Sequence, residues 1–150
     1  MTPTKDKFFL DSNVLLYLND ETGSLKKEIV KSLLQSNPII SSQVVFECLN
    51  VCLRKFKYPK DKAVLFATSL FKTCTVIDEE KETCILAIEL FSKHKLQAYD
   101  AKIIASALDA GCTILYTEDM QNGLIIEKKL TIINPFLSVG LKPNTHQQIQ

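Results

Sequence analysis

Asp100 occupies an odd place for a carboxylate. Read as part of a helix, it lies on the same face as Ile103, Ile104 and Ala107, because positions three, four and seven apart stack along a helix. The helix stops at Gly111, and the apolar run Thr113 to Tyr116 reads as a buried strand that delivers a second acid, Asp119. Two more acids belong to the same pattern: Asp11 ends the short strand Lys7-Phe8-Phe9-Leu10, and Glu47 sits in the first turns of a helix that follows another strand. A charge facing an apolar layer is costly unless it is paired, neutralised or bound to metal. Carboxylates crowded at low dielectric repel each other, and at least one takes up a proton unless a cation intervenes. A hard divalent ion resolves that conflict. Magnesium or manganese uses one or a few carboxylates and keeps several waters, so a loose quartet of acids suits either better than zinc. The chemistry such a site performs is water-mediated cleavage of a phosphodiester.

Strands and helices alternate around these acids. Helices are predicted from Val14 to Leu18, through Leu25, Ile29, Leu33 and Leu34 after a Ser24 cap, and from Ser41 or Ser42 through Val44, Val45, Cys48, Leu49, Cys52 and Leu53. Lys26, Lys27 and Lys31 are expected to face outward, and Glu47, Asn50 and Arg54 to share a polar edge. After the Tyr58-Pro59 break, Asp61 to Lys72 is predicted to turn Val64, Leu65, Thr68 and Phe71 inward. Glu80 to Lys93 is predicted to do the same with Ile85, Ile88 and Phe91. Strands are expected at Lys7–Leu10, Pro38–Ser41, Thr75–Ile77, Thr113–Tyr116 and Leu130–Ile133. Unbroken apolar strands between helices imply a parallel sheet covered on both faces, so the expected fold is three-layer α/β/α around a mostly parallel five-stranded sheet. Ligands of such sheets bind at the carboxyl ends of the strands, which is where all four acids fall.

The composition fits one domain with a core of its own, since 46% of the 150 residues are hydrophobic. The expected core spans about residues 7–136, with a polar tail at 143–150. Net charge is only +1 and Arg54 is the sole arginine, so any basic footprint is local. The polar start and the lack of a long apolar span lead us to expect neither a signal peptide nor a membrane helix, and hence a cytoplasmic protein. Five cysteines without CxxC spacing are expected to be buried free thiols, and His94 and His146 are given no role.

The stretches Phe9-Leu10-Asp11-Ser12-Asn13-Val14-Leu15-Leu16-Tyr17, Ser42-Gln43-Val44-Val45-Phe46-Glu47, Tyr99-Asp100-Ala101-Lys102-Ile103 and Leu115-Tyr116-Thr117-Glu118-Asp119 resemble the PIN-domain nucleases, most closely the VapC-type toxins of toxin–antitoxin modules. The resemblance covers about residues 8 to 136. It implies an endoribonuclease that holds magnesium or manganese at Asp11, Glu47, Asp100 and Asp119, with Asp11 and Asp100 nearest the metal and with Asn13 and Thr117 in support. It also implies a homodimer, a small inhibitory antitoxin, and an RNA substrate that in this family is often transfer RNA.

Each acid also has a plainer explanation. Asp11 could serve only as a helix cap, Glu47 could pair with Arg54 or a lysine in solvent, Asp100 could merely answer the helix dipole, and Asp119 could cap a turn. Glu118 and Asp109 read as surface residues. The run Arg54, Lys55, Lys57, Lys60 and Lys62 could be a solvated loop or a phosphate-binding patch, with Tyr58 available for stacking on a base. Two other functions compete with the nuclease. One is a PIN-like domain that binds without cutting; the other is an aspartyl-phosphate phosphatase or receiver domain, which Asn13 disfavours because the phosphatases need a second Asp there.

Overall fold

The computed structural model describes residues 6–137. In chain order its elements are β1 (Phe8–Leu10), α1 (Ser12–Leu15), a 3-10 turn (Leu16–Asn19), α2 (Leu25–Leu34), β2 (Ile39–Ser41), α3 (Ser42–Arg54) and α4 (Lys60–Thr73). Then come β3 (Thr75–Ile77), α5 (Lys81–Lys93), α6 (Ala98–Asp109), β4 (Ile114–Tyr116), β5 (Ile125–Ile126) and β6 (Leu130–Ile133). The strands form one sheet in the order β3-β2-β1-β4-β6-β5, parallel throughout except for the β5–β6 pair. Successive strand residues point to opposite faces, and Phe9 and Leu10 of the central strand are both fully buried. Helices therefore cover both faces, giving the expected three-layer α/β/α arrangement.

The sheet has six strands, not five. Ile125–Ile126 pairs antiparallel with β6 across a tight turn in which Lys129 N–H donates to the Ile126 carbonyl at 3.0 Å. Its two central residues, Glu127 and Lys128, have φ of 53° and 55°. Such a primed turn normally announces itself with Asn-Gly or Asp-Gly, and Glu-Lys carries no such signal.

Two helices present the opposite face from the one expected. In α4 the buried residues are Ala63, Ala67 and Leu70, while Leu65 is 72% exposed and Val64 and Phe71 are also exposed. In α5 they are Thr83, Ala87 and Leu90, while Ile88 is 69% exposed and Ile85 and Phe91 lie beside it in solvent. Both helices carry apolar residues on two sides. The small side wins because Ala and Thr let α4 pack closely on α3 and α5 on α6. In α3, Leu53 is likewise more exposed than its pattern implies. Four cysteines are buried and free as expected, but Cys84 is exposed. Among the described residues no helix is long and apolar enough to cross a membrane.

The order of the strands creates the crevice. From β1 the chain runs outward through β2 and β3, then returns to place β4 on the other side of β1. The direction of winding reverses between β1 and β4, which is where open α/β sheets part their loops and bind ligands.

Candidate functional site

Asp11 leaves β1 at that reversal. Its extended backbone, φ −79° and ψ 159°, makes it the N-cap of α1, and its Oδ1 accepts the Ser12 N–H at 2.8 Å. The plain reading of Asp11 as a cap is thus correct as far as it goes. The other carboxylate oxygen faces across the sheet: Oδ2 accepts from the Thr117 hydroxyl at 2.9 Å and from the Asn13 amide at 3.2 Å. Thr117 is positioned by the continuing ladder, since Asp11 N–H donates to the Tyr116 carbonyl and Thr117 N–H to the Ile133 carbonyl, each at 3.0 Å. Asp11 is only 5% exposed, and burial pushes its carboxyl up to about 7, with smaller upward contributions from Glu47 and Asp100 that the Thr117 and Ser12 hydrogen bonds oppose.

Asn13 ties the start of α1 to the loop after β4. Its Nδ2 lies 3.0 Å from Thr117 Oγ1 and 3.1 Å from Asp119 Oδ2, and its Oδ1 accepts the Glu118 N–H at 3.0 Å. Thr117 Oγ1 also accepts the Asp119 N–H at 3.2 Å. One amide and one hydroxyl therefore orient both Asp11 and Asp119.

Asp100 lies in the first turn of α6, half-buried, while Ile103, Ile104 and Ala107 on the same helix are fully packed. Burial raises its carboxyl above the ordinary range, and the charges of Asp119 and Glu47 raise it further. Glu47 projects from α3, where Gln43 Nε2 donates to its Oε2 at 3.1 Å and lies 3.4 Å from the Tyr99 carbonyl at the start of α6. Arg54 does not pair with Glu47, and among the described residues none of the four acids takes part in an ion pair. Asp11 feels Glu47 and Asp100, and Asp100 feels Asp119 and Glu47, so all four belong to one electrostatic group.

The donors are all carboxylate, amide and hydroxyl oxygens, and among the described residues no ion pair answers their charge. That chemistry fits a hard divalent ion and not a thiolate or imidazole site. Among the described residues no group of three or more acid, His or Cys side chains is placed to hold a metal ion. An ion here would take one or two carboxylates directly and complete its shell with water, as magnesium does.

Two clefts reach this group of acids, one at Asp119 and the other at Glu47. One, of about 700 Å³, runs past Ser12, Asn13 and Asp119 to Lys55 and Tyr58. Arg54, Lys57 and Lys60 are exposed and do not line it. Tyr58 is committed elsewhere, donating to Asn19 Oδ1 at 3.2 Å with Lys62 Nζ 4.0 Å from its ring centre, so its ring is less open to a base than the sequence suggests. The second cleft, of about 490 Å³, reaches Glu47 between α3 and α6.

Glu118 corrects the sequence reading. It is nearly buried, paired with Lys26 at 2.9 Å, and it accepts the Tyr17 hydroxyl at 2.7 Å. Lys26 also sits over the Tyr17 and Phe136 rings at 4.8 and 5.1 Å, so this lysine turns inward. Nothing in the local pattern of α2 distinguishes Lys26 from Lys27 and Lys31. Gln43 also escaped notice, although its place four residues before Glu47 on one helix face was a usable signal. Asp109 is exposed as expected, His94 lies 3.6 Å from Glu127, and His146 falls outside the described residues.

Known proteins match the chain in family and in fold. The PIN domain profile matches residues 8–121. No curated protein matches the chain by sequence. Among solved structures, a toxin–antitoxin complex from Klebsiella pneumoniae aligns with a TM-score of 0.62 at 21% identity, covering 87% of this chain and 98% of that one. DNA-bound VapBC from Salmonella typhimurium aligns with a TM-score of 0.64 at 20% identity, covering 85% and 97%. VapC20 of Mycobacterium tuberculosis, a sarcin-ricin loop cleaving toxin, aligns with a TM-score of 0.59 at 18% identity, covering 74% and 88%. At these identities the likeness is one of fold.

Proposed function

This chain belongs to the PIN-domain family, and from that premise we propose that it is a metal-dependent endoribonuclease, the toxin of a toxin–antitoxin module. The observation that carries this reading is that Glu47 and Asp100 act on Asp11, and Asp119 and Glu47 on Asp100, at the reversal point of the sheet, with none of the four acids in an ion pair among the described residues. Asp11 and Asp100 hold magnesium or manganese most directly, and Glu47 and Asp119 hold the ion or its waters. Bound there, the ion supplies Lewis acidity for water-mediated cleavage of a phosphodiester and positive charge against its leaving oxygen. Thr117 and Asn13 keep Asp11 and Asp119 aimed through the hydrogen bonds described above. Lys55 stands in the larger cleft where a substrate phosphate would pass, and Arg54, Lys57 and Lys60 extend that charge outside it.

The fold-level likeness to toxin–antitoxin complexes and to a sarcin-ricin loop cleaving toxin supports the same class. By extension the protein is cytoplasmic, is held silent by a small antitoxin, and pairs with a second copy through the exposed apolar residues of α4 and α5. The test is cleavage of RNA by purified wild type, Asp11→Asn and Asp100→Asn in magnesium, with a chelator as control. The reading requires that wild type cut only with metal and that both variants lose at least a hundredfold in rate. Equal cleavage by all three would overturn it.

A further inference from the structure

Resting on the ribonuclease reading, we propose that the cleft between α3 and α6 is a subsite for an unpaired base of the RNA, stacked on the rings of Phe46 and Tyr99. Phe46 is 66% exposed and Tyr99 is 69% exposed, although both are large aromatics on well-packed helices. Each ring directly precedes one of the four acids in the chain, Phe46 before Glu47 and Tyr99 before Asp100. Both line the 490 Å³ cleft, and Glu47 lines it with them, so a base held there lies beside one of the four acids. That volume lies in the range of about 300–1,000 Å³ typical of small-ligand sites.

The two rings sit on elements that are tied together. Gln43 on α3 reaches both Glu47 and the Tyr99 carbonyl, which holds the start of α6 against α3. Among the described residues neither ring packs against another ring, and both are mostly exposed. Asn50, exposed in the same cleft, offers both a donor and an acceptor to a base edge. Lys102 also lines the cleft, with its charge answered at 3.5 Å by Glu79 of the same lining, so the stacking faces and not charge would hold the base.

The lining favours a base over a segment of protein. No Leu, Ile, Val or Met contributes to this cleft, whereas a docking helix is gripped chiefly by such side chains. Aromatic faces with polar groups around them are how proteins hold single-stranded nucleic acid, and the stacking tolerates any base because every base has a π-face.

The test uses the full chain carrying Asp11→Asn, so that RNA is bound without being cut. Affinity is measured by fluorescence anisotropy for a labelled oligouridylate and for the same oligonucleotide made abasic. Phe46→Ala and Tyr99→Ala should each weaken binding of the base-bearing RNA by about tenfold and leave abasic binding nearly unchanged. Phe46→Trp and Tyr99→Phe should retain binding. Affinities unchanged by both alanine variants would overturn the proposal and leave the rings to a protein partner; equal losses on base-bearing and abasic RNA would overturn it as well. The nuclease reading is judged separately by metal-dependent cleavage in the wild-type background. If wild type cuts while the alanine variants bind normally, only the subsite fails; if wild type neither binds nor cuts RNA, both fail.

Discussion

A single carboxyl, Asp11, carries much of the electrostatic cost of the site. Burial lifts it to about 7 from an ordinary 3.8, so between those values the folded protein holds a proton that the unfolded chain has released. Metal-free stability therefore falls as pH rises through that window, by at most about 4 kcal/mol. Asp11→Asn cannot ionise and should lack this decline. Thermal melts from pH 4.5 to 7.5 in chelator should show wild type losing stability relative to the variant, and parallel curves would show that Asp11 is not strained by its charge. Magnesium should raise the wild-type melting temperature at pH 7.5 more than that of Asp11→Asn, by mass action on the folded state. The position of Asp11 was readable from a strand end followed by cap residues. Its altered acidity was not, because the groups that bury and perturb it come from Glu47, Asp100 and Thr117, far away in the chain.

Elements are held at the site by their ends. Helix α6, which carries Asp100, stops at Gly111 with φ 77°, where Gly111 N–H donates to the Leu108 carbonyl and Cys112 N–H to the Ala107 carbonyl, each at 3.0 Å. A Cβ at Gly111 would meet only Lys7 Nζ at 4.0 Å, so Gly111→Ala costs backbone strain alone, about 1–2 kcal/mol by denaturant titration. The loop after β4 is fastened to α2 by Lys26 and Glu118, whose side chains are mostly covered. Lys26→Met keeps the apolar stem but leaves Glu118 without its cation. After allowance for partial exposure it should destabilise by about 1–3 kcal/mol, and a loss within the error of the measurement would show that Tyr17 alone secures the loop. The helix end was legible from its glycine. The clamp was not, since three lysines of α2 look alike until β4 brings Glu118 to one of them.

At the scale of the molecule, α4 and α5 leave Val64, Leu65, Phe71, Ile85, Ile88 and Phe91 in solvent. Large apolar residues exposed along a helix mark an interaction surface, and each of these two helices carries three. Leu65→Asp together with Ile88→Asp should turn a dimer into a monomer by sedimentation velocity, with folding stability changed by no more than about 0.5 kcal/mol for each exposed position. A dimer that survives both changes would place the self-association elsewhere. The chain's own sequence determined the alternation of strands and helices, the parallel sheet and the acids at its carboxyl edge, because strand burial and helix periodicity are written in local residue order. Tertiary structure decided which apolar face of α4 and α5 turns inward, which lysine pairs with Glu118, and that Glu127-Lys128 folds back a sixth strand. The first two depend on partners distant in sequence, where close packing and desolvation outweigh local pattern; the third is a local hairpin whose turn residues carry no glycine or asparagine signal. The opening acid, Asp100, belongs to both: its helix face was legible from spacing, but only the return of β4 beside β1 brought Asp11 and Asp119 within its field.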